Sequence, residues 1–295
     1  MNASRVALVT GANQGLGRAL VEGLAARMNP DDLVLLTGRD GGRVADAARE
    51  VAELPGTRAQ VAGRLLDVTH TAAIAALAQD LATRHGGVDI VFSNAVARVL
   101  PDESQAARAD EFIDVSNTAT HAVLRSFAPV LRPGGSLLVV ASTLGTLGHL
   151  DPRLHPLFDG ADLDRVERAV ESWRSAVHSG TAQEAGWPVW LNVPSKVAQV
   201  AAVRALADER RESDLASGTL VAAVCPGLVD TATSRPWFSD FSHAQSPGHA
   251  AEALLDLALT DQADPALYGE LVRFGKALPW YDGTPPVEQD RIVTP

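Results

Sequence analysis

The chain has 295 residues and a formal net charge of −11, with an isoelectric point near 5.1; its length suits one large α/β domain or two small ones. The acidic balance excludes a nucleic-acid groove or an anionic membrane surface as partner. A single cysteine, Cys225, excludes an intrachain disulfide and a thiolate metal cluster.

No apolar run reaches the ~18 residues that cross a bilayer. The N-terminus enters a strand-like run at Arg5 with no space for a signal peptide. A soluble, cytoplasmic protein is expected.

Arg5 to Val9 reads as a buried strand, and Arg18 to Met28 as a helix with Leu20, Val21, Leu24 and Ala25 at helical spacing. Between them lies Thr10-Gly11-Ala12-Asn13-Gln14-Gly15-Leu16-Gly17. A strand, a glycine-rich turn and a helix make a cradle for a diphosphate. The glycines let the backbone approach the ligand, and the helix N-terminus aims unpaired N–H groups and a positive dipole end at it. Strands then follow at Leu33 to Thr37, Gly63 to Asp67, Val88 to Asn94, Ser136 to Ser142, Thr219 to Cys225 and Glu270 to Phe274. Helices are expected at Gly41 to Glu53, Thr69 to His85, within Glu103 to Leu131, at Lys196 to Arg211 and at Pro247 to Leu259.

This alternation of apolar strands and amphipathic helices predicts a doubly wound parallel sheet of about seven strands, covered on both faces. Ligand then binds beyond the carboxyl ends of the strands. One domain is expected over residues 1–283. It carries a helical insertion at 143–191 and a lid loop at 228–246 that holds Trp237, Phe238 and Phe241, and a tail at 284–295 follows it.

The strand-end residues carry a resemblance to a family. The chain resembles the short-chain dehydrogenases/reductases, with their Rossmann fold, and within them the monomeric carbonyl reductases, from about Arg5 to Tyr281. The family's glycine turn is matched by Thr10 to Gly17, its adenine-contacting Asp by Asp67 before Val68, and its Asn-Ala by Asn94-Ala95, with Val96 in place of the usual glycine. The mid-helix Asn is matched by Asn117, the catalytic Ser by Ser142, and the Pro-Gly-x-Val-x-Thr motif by Pro226, Gly227, Val229 and Thr231. The resemblance implies that Gly11, Asn13, Gln14, Gly15, Leu16, Gly17, Asp67, Val68, Asn94, Ala95, Lys196, Pro226, Gly227, Val229 and Thr231 hold a nicotinamide cofactor. At the end of the second strand, Thr37-Gly38-Arg39-Asp40 puts Arg39 beside a position without a carboxylate, which is the family's arrangement for the 2′-phosphate of NADP(H).

The catalytic pattern departs from the family. Its tyrosine stands four residues before a lysine, and that lysine lowers the phenol's pKa and bonds the nicotinamide ribose. Here Lys196 ends Asn192-Val193-Pro194-Ser195-Lys196, so the tyrosine position is Asn192. A carboxamide can hydrogen-bond a carbonyl but cannot donate a proton as an acid. Asn117, Ser142, Asn192 and Lys196 are therefore the candidate catalytic residues, with Lys196 able to act if desolvation depresses its pKa. His149, Asp151 and His155 lie just beyond Ser142 and read mainly as surface residues of the insertion; their spacing suits no metal, and none is expected.

The resemblance implies that the insertion covers the helix face other members use for tetramers, hence a monomer. Three functions stay open. One is an NADP(H)-dependent oxidoreductase of a small-molecule carbonyl, imine or enone with an atypical proton donor. Another is a redox-neutral cyclase, isomerase or lyase, and the last is a cofactor-binding protein without turnover.

Overall fold

The computed structural model of the chain describes residues 4–260 and 262–281, so the expected tail at 284–295 and the domain end at 283 lie outside the described residues. The first unit is β1 (Val6–Val9), α1 (Gly15–Arg27) and β2 (Leu33–Gly38). Then come α2 (Gly41–Ala52), β3 (Gln60–Leu65), α3 (Thr71–His85) and β4 (Val88–Ser93). Each helix returns the chain to a parallel neighbour, giving the order β3-β2-β1-β4. The order reverses at β1, which pairs with both β2 and β4, and such a reversal opens a crevice at the strand ends. β1 is wholly buried because helices cover both of its faces. Leu8, Leu20, Leu24, Leu36, Ile74 and Phe92 are among the fully buried side chains, each worth roughly 1.5–3 kcal/mol.

The second half differs from expectation in detail. The helix expected within Glu103 to Leu131 is two helices, α4 (Gln105–Ile113) and α5 (Ala119–Phe127), joined without a gap by one wider π-type turn at Asp114–Thr118. Ser104 caps α4 through the Ala107 N–H. The helical run ends at a short tighter turn, Ala128–Val130, that contains Pro129, which has no N–H to offer the helix. β5 (Leu131–Val140) starts earlier than the sequence suggests, with a shift of register opposite Val88 and Ile90. α7 (Asn192–Ala216) is longer than expected at both ends, and β6 (Leu220–Cys225) and α8 (Pro247–Ala258) lie close to their expected places.

The strand expected at Gly63 to Asp67 lies further upstream as β3, whose side chains are mostly exposed because it forms the sheet edge. At the other edge β7 (Leu271–Arg273) is followed by β8 (Lys276–Leu278), which pairs with it antiparallel and brings the sheet to eight strands among the described residues, close to the seven or so expected. The two-residue turn between them puts Phe274 at φ 49° and Gly275 at φ 72°. Such turns usually announce themselves as Asn-Gly. Phe-Gly sends no such signal, and the hairpin is invisible in the sequence.

The insertion is packed. α6 (Leu163–His178) is capped by Asp162 and buries Leu163, Val166, Ala169, Val170 and Trp173. Trp187 meets Phe158 edge-on at 6.2 Å and Trp173 at 6.1 Å between ring centroids. Arg174 reaches Asp110 on α4 and Asp114 on the π-type turn, while Arg125 on α5 reaches Asp164 and Glu167. The exposed Arg125 pairs contribute only ~0–1 kcal/mol each. The aromatic cluster and the apolar stripe of α6 hold the insertion down.

Candidate active site

The cofactor end is built from backbone that admits no side chain. Gly11 has φ +62°, and a methyl there would lie 2.8 Å from the Ala95 Cα. A methyl at Gly17 would lie 2.5 Å from Asn94 Nδ2 and 2.6 Å from the Gly11 carbonyl oxygen. Asn94 staples the turn by donating to the Thr10 carbonyl at 2.9 Å and the Gly11 carbonyl at 3.2 Å. In return the buried Thr10 hydroxyl accepts the N–H groups of Asn94 and Ala95 at 2.9 and 3.0 Å. α1 then starts at Gly15 with no capping side chain and no acid in its first turn. Its first N–H groups therefore await an anion. These residues fit the diphosphate of a dinucleotide, with Asn13, Gln14, Leu16 and Gly17 forming the turn that would hold it.

Two further motifs were expected at the same site. Asp67 takes the Thr69 N–H at 3.0 Å and the Thr69 hydroxyl at 2.7 Å on one oxygen, and its other oxygen lies 4.0 Å from His70 Nδ1. Burial pushes the Asp67 carboxyl up, but the Thr69 hydrogen bonds outweigh it and hold the group below its ordinary range. From the other side, a methyl at Gly15 would lie 3.6 Å from Thr231 Cγ2, so the Pro226–Thr231 motif borders the glycine turn. Gly227 turns at φ +78°, and Gln245 fixes the motif by donating to the Pro226 carbonyl at 3.1 Å. Val229 pairs with Gln245 as an isolated bridge.

Around Arg39 and α2 the structure draws in a further arginine. The Arg39 side chain is 71% exposed and lies 3.4 Å from Glu111. A cavity of about 210 Å³ opens between the glycine turn and α2, lined by Asn13, Gln14, Arg18, Arg43 and three others. Arg18 is paired there with Glu22 and Glu50. Arg43 was not singled out in the sequence; it lines this cavity from the first turn of α2, together with Asp46 and Glu50, whereas Arg39 does not line it.

The catalytic end gathers where β5 and β6 stop. Lys196 lies in the first turns of α7 with 9% of its surface exposed. Its ammonium donates to the Val140 carbonyl at 3.1 Å, two residues before Ser142, and to Gln199 Oε1 at 2.8 Å. A lysine that would ordinarily be solvated is here enclosed without a carboxylate partner. Burial lowers its pKa to about 8, partly opposed by Cys225 at the end of β6. Asn117 donates to the Ser195 carbonyl at 3.0 Å and so pins the π-type turn to α7 next to Lys196. Ser142 Oγ accepts the Leu144 N–H at 3.3 Å, which leaves its own O–H to donate. Gly145 lies flush on α7, where a methyl would come 3.0 Å from the Lys196 carbonyl oxygen. Asn192 opens α7 and is half-buried.

Above this floor Trp190 stacks at 5.4 Å on Trp237, whose indole N–H donates to the Val99 carbonyl at 2.9 Å. The expected lid is thus anchored to the segment after β4. Phe238 meets Phe241 edge-on at 6.3 Å within the same loop.

Neither tyrosine replaces the missing phenol. The Tyr268 hydroxyl donates to Asp214 at 2.8 Å, and burial together with that carboxylate pushes its pKa up. Asp214 stands 18 residues beyond Lys196 on α7, roughly 27 Å away along the helix. The Tyr281 hydroxyl donates to Asp159 of the insertion at 2.6 Å. The three insertion candidates are also committed. Arg153 holds Asp151 down to about 2, so it stays a carboxylate. His149 bonds the Thr146 hydroxyl at 2.9 Å, and His155 donates to the Leu150 carbonyl at 3.2 Å.

Gln199, Ser116 and Thr120, which complete the surroundings of Lys196, escaped the sequence reading. One signal was present: Gln199 is a polar residue inside the apolar run Val197-Ala198-Gln199-Val200-Ala201, and Lys196 is one of only two lysines in the chain, with Lys276.

Comparison with known proteins places the chain in a family. The short chain dehydrogenase family matches residues 5–150. Carbonyl reductase (NADPH) 3 of Homo sapiens is 30% identical over 241 residues, covering 77% of this chain and 83% of that protein. Carbonyl reductase (NADPH) 1 of Sus scrofa is 29% identical over 293 residues, covering 96% of each. The solved structure of salutaridine reductase from Papaver somniferum shares the fold with a TM-score of 0.76 at 21% identity, covering 90% of this chain and 99% of that one. The chain belongs to the short-chain dehydrogenase family, and carbonyl reductases are among its relatives.

Proposed function

We propose that the protein is an NADPH-dependent reductase of a small-molecule carbonyl, imine or enone, in which the Lys196 ammonium takes the place of the usual phenol as proton donor. The observation that carries this reading is the burial of Lys196 against neutral partners only, which brings its pKa to about 8. A general acid works best with a pKa near the operating pH, and an unperturbed lysine, near 10.4, is too weak an acid for that. NADPH, when bound, supplies the hydride for the substrate carbon. The substrate's oxygen or nitrogen is then held by the Ser142 hydroxyl and the Asn192 carboxamide while Lys196 donates the proton. Asn117 keeps α7 in place, and Gly11, Asn13, Gln14, Gly15, Leu16, Gly17, Asp67, Val68, Asn94, Ala95, Pro226, Gly227, Val229 and Thr231 hold the cofactor. Arg39 and Arg43 meet its 2′-phosphate.

The insertion at 143–191 and the loop at 228–246 form the substrate walls, with the Trp190–Trp237 stack closing one side. Because α6 covers α4 and α5, the chain works as a monomer, which light scattering would read directly. The acidic surface suits a cytoplasmic enzyme, and no helix among the described residues is long and apolar enough to cross a membrane. The test is NADPH oxidation across a panel of ketones, imines and enones. Turnover that Lys196→Arg abolishes, with NADPH still bound, supports the reading. Tight NADPH binding without oxidation on any of them overturns it.

A further inference from the structure

The surroundings of Lys196 contain a residue that the glycine-turn and Ser/Lys motifs do not account for. Gln199 lies one helical turn beyond Lys196, 2% exposed. Its Nε2 donates to the Ser116 carbonyl at 2.7 Å and to the Thr120 hydroxyl at 3.1 Å. The Thr120 hydroxyl in turn donates to the same Ser116 carbonyl at 2.7 Å, which closes a ring of three. Every direction in the ring is determined. Both amide protons of Gln199 are used on the π-type turn, so its oxygen must face Lys196, and a flipped amide would press an NH₂ against an ammonium. The acceptor that meets Lys196 at 2.8 Å is therefore held in place from the far side.

We propose that Gln199 is a positioning residue for the proton donor: its carboxamide oxygen, oriented by Ser116 and Thr120, fixes the Lys196 ammonium against the end of β5 and leaves one N–H for the ligand. A buried ammonium needs acceptors to remain charged at all. Val140 supplies one and Gln199 the other. The remaining titratable neighbour is Cys225, from the end of β6; β5 and the π-type turn present only carbonyls and hydroxyls to Lys196 and Gln199. Loss of the Gln199 oxygen lets the amine deprotonate more readily, whereas a carboxylate in its place holds the proton longer. The kinetic consequence rests on Lys196 acting as the acid; the titration itself does not.

With only two lysines in the chain, labelled lysine gives two side-chain NMR signals, and Lys276→Arg assigns them. In the full-length protein, Gln199→Met is expected to lower the Lys196 midpoint and Gln199→Glu to raise it, each by about one pH unit. NADPH affinity stays within about threefold, because the cradle residues are untouched, and the basic limb of kcat moves with the midpoint. Unchanged Lys196 midpoints in folded Gln199→Met and Gln199→Glu overturn the proposal. Should Gln199→Met fail to fold, Gln199→Leu decides by the same downward movement, since a carboxylate beside Lys196 would raise its midpoint whatever Gln199 does. Midpoints that move in a protein that reduces no substrate would sink the reductase reading and leave this one standing.

Discussion

The two halves of the site follow opposite rules. At the β1–β4 end the glycine turn is enforced by backbone: Gly11 beneath Ala95, Gly17 beneath Asn94, and Thr10 receiving two N–H groups. At the β5–α7 end the backbone is kept, with Asn117 tied to Ser195 and Gly145 flush on α7. The side chains set the chemistry there: Asn192 opens α7, and Lys196 is enclosed with the Val140 carbonyl and Gln199 as its acceptors. On the proposed reading, Asn192 takes the position of the family's acid and Lys196 takes over its role. A binding site made of backbone tolerates almost no substitution, whereas a proton can come from any group with the right pKa and reach. The cradle therefore reports what is bound, and the residues around Lys196 report what is done with it.

Breaking the Lys196 side gives the largest effect. Lys196→Met is expected to cost ~10²–10⁴-fold in kcat, the usual worth of a positioned acid. The same change should raise stability at neutral pH, because it removes a buried charge. The sign follows from linkage: the folded-state pKa is lowered to about 8, below the unfolded value, so between the two the unfolded chain binds more protons and wild-type stability rises with pH. The advantage of Lys196→Met in thermal melts should be full below pH 8 and fade by about pH 10.4. A variant less stable than wild type at pH 7 would place the lysine's value in structure.

The cradle breaks next. Gly11→Ala forces a left-handed alanine into Ala95, and strain of ~1–3 kcal/mol should weaken NADPH binding by roughly tenfold or more in a fluorescence titration. Wild-type affinity would show that the close approach is slack. Asn192→Tyr sharpens the comparison from the other direction. A restored phenol four residues before Lys196 should raise reduction of simple ketones at least about tenfold, and no gain would mean that the substrate sits differently from the family's. The smallest effect concerns cofactor choice. Arg43→Ala should cost about tenfold in NADPH affinity with NADH unchanged, as expected for one charge-assisted bond to phosphate. Arg39→Ala is the paired control, and equal losses for both cofactors would remove the 2′-phosphate from this pocket.

Much of this was legible in the sequence because it depends on periodicity and glycine placement. β1, α1, β2, β4, β6 and α8 fall within a few residues of where apolar spacing puts them. What was hidden depends on contacts between distant segments. The β7–β8 hairpin turns on Phe274-Gly275, a pair without turn chemistry. The π-type turn at Asp114–Thr118 lies inside one continuous helical pattern, and only its contacts with α7 give it away. Lys196 was a catalytic candidate by motif, but its enclosure could not be read. Its burial comes from the ends of β5 and β6, two distant segments that no local window joins to α7. Arg43 was hidden for the same reason, since α2 meets the glycine turn only in the fold.

The most direct measurement is the pH dependence of kcat for NADPH oxidation with the best substrate of the panel, from pH 6 to pH 10. If Lys196 is the acid, the rate holds below about pH 8 and falls above it as the ammonium deprotonates, and the limb moves in Gln199→Glu. A rate that stays flat through pH 9, or one that survives in Lys196→Met, would contradict it.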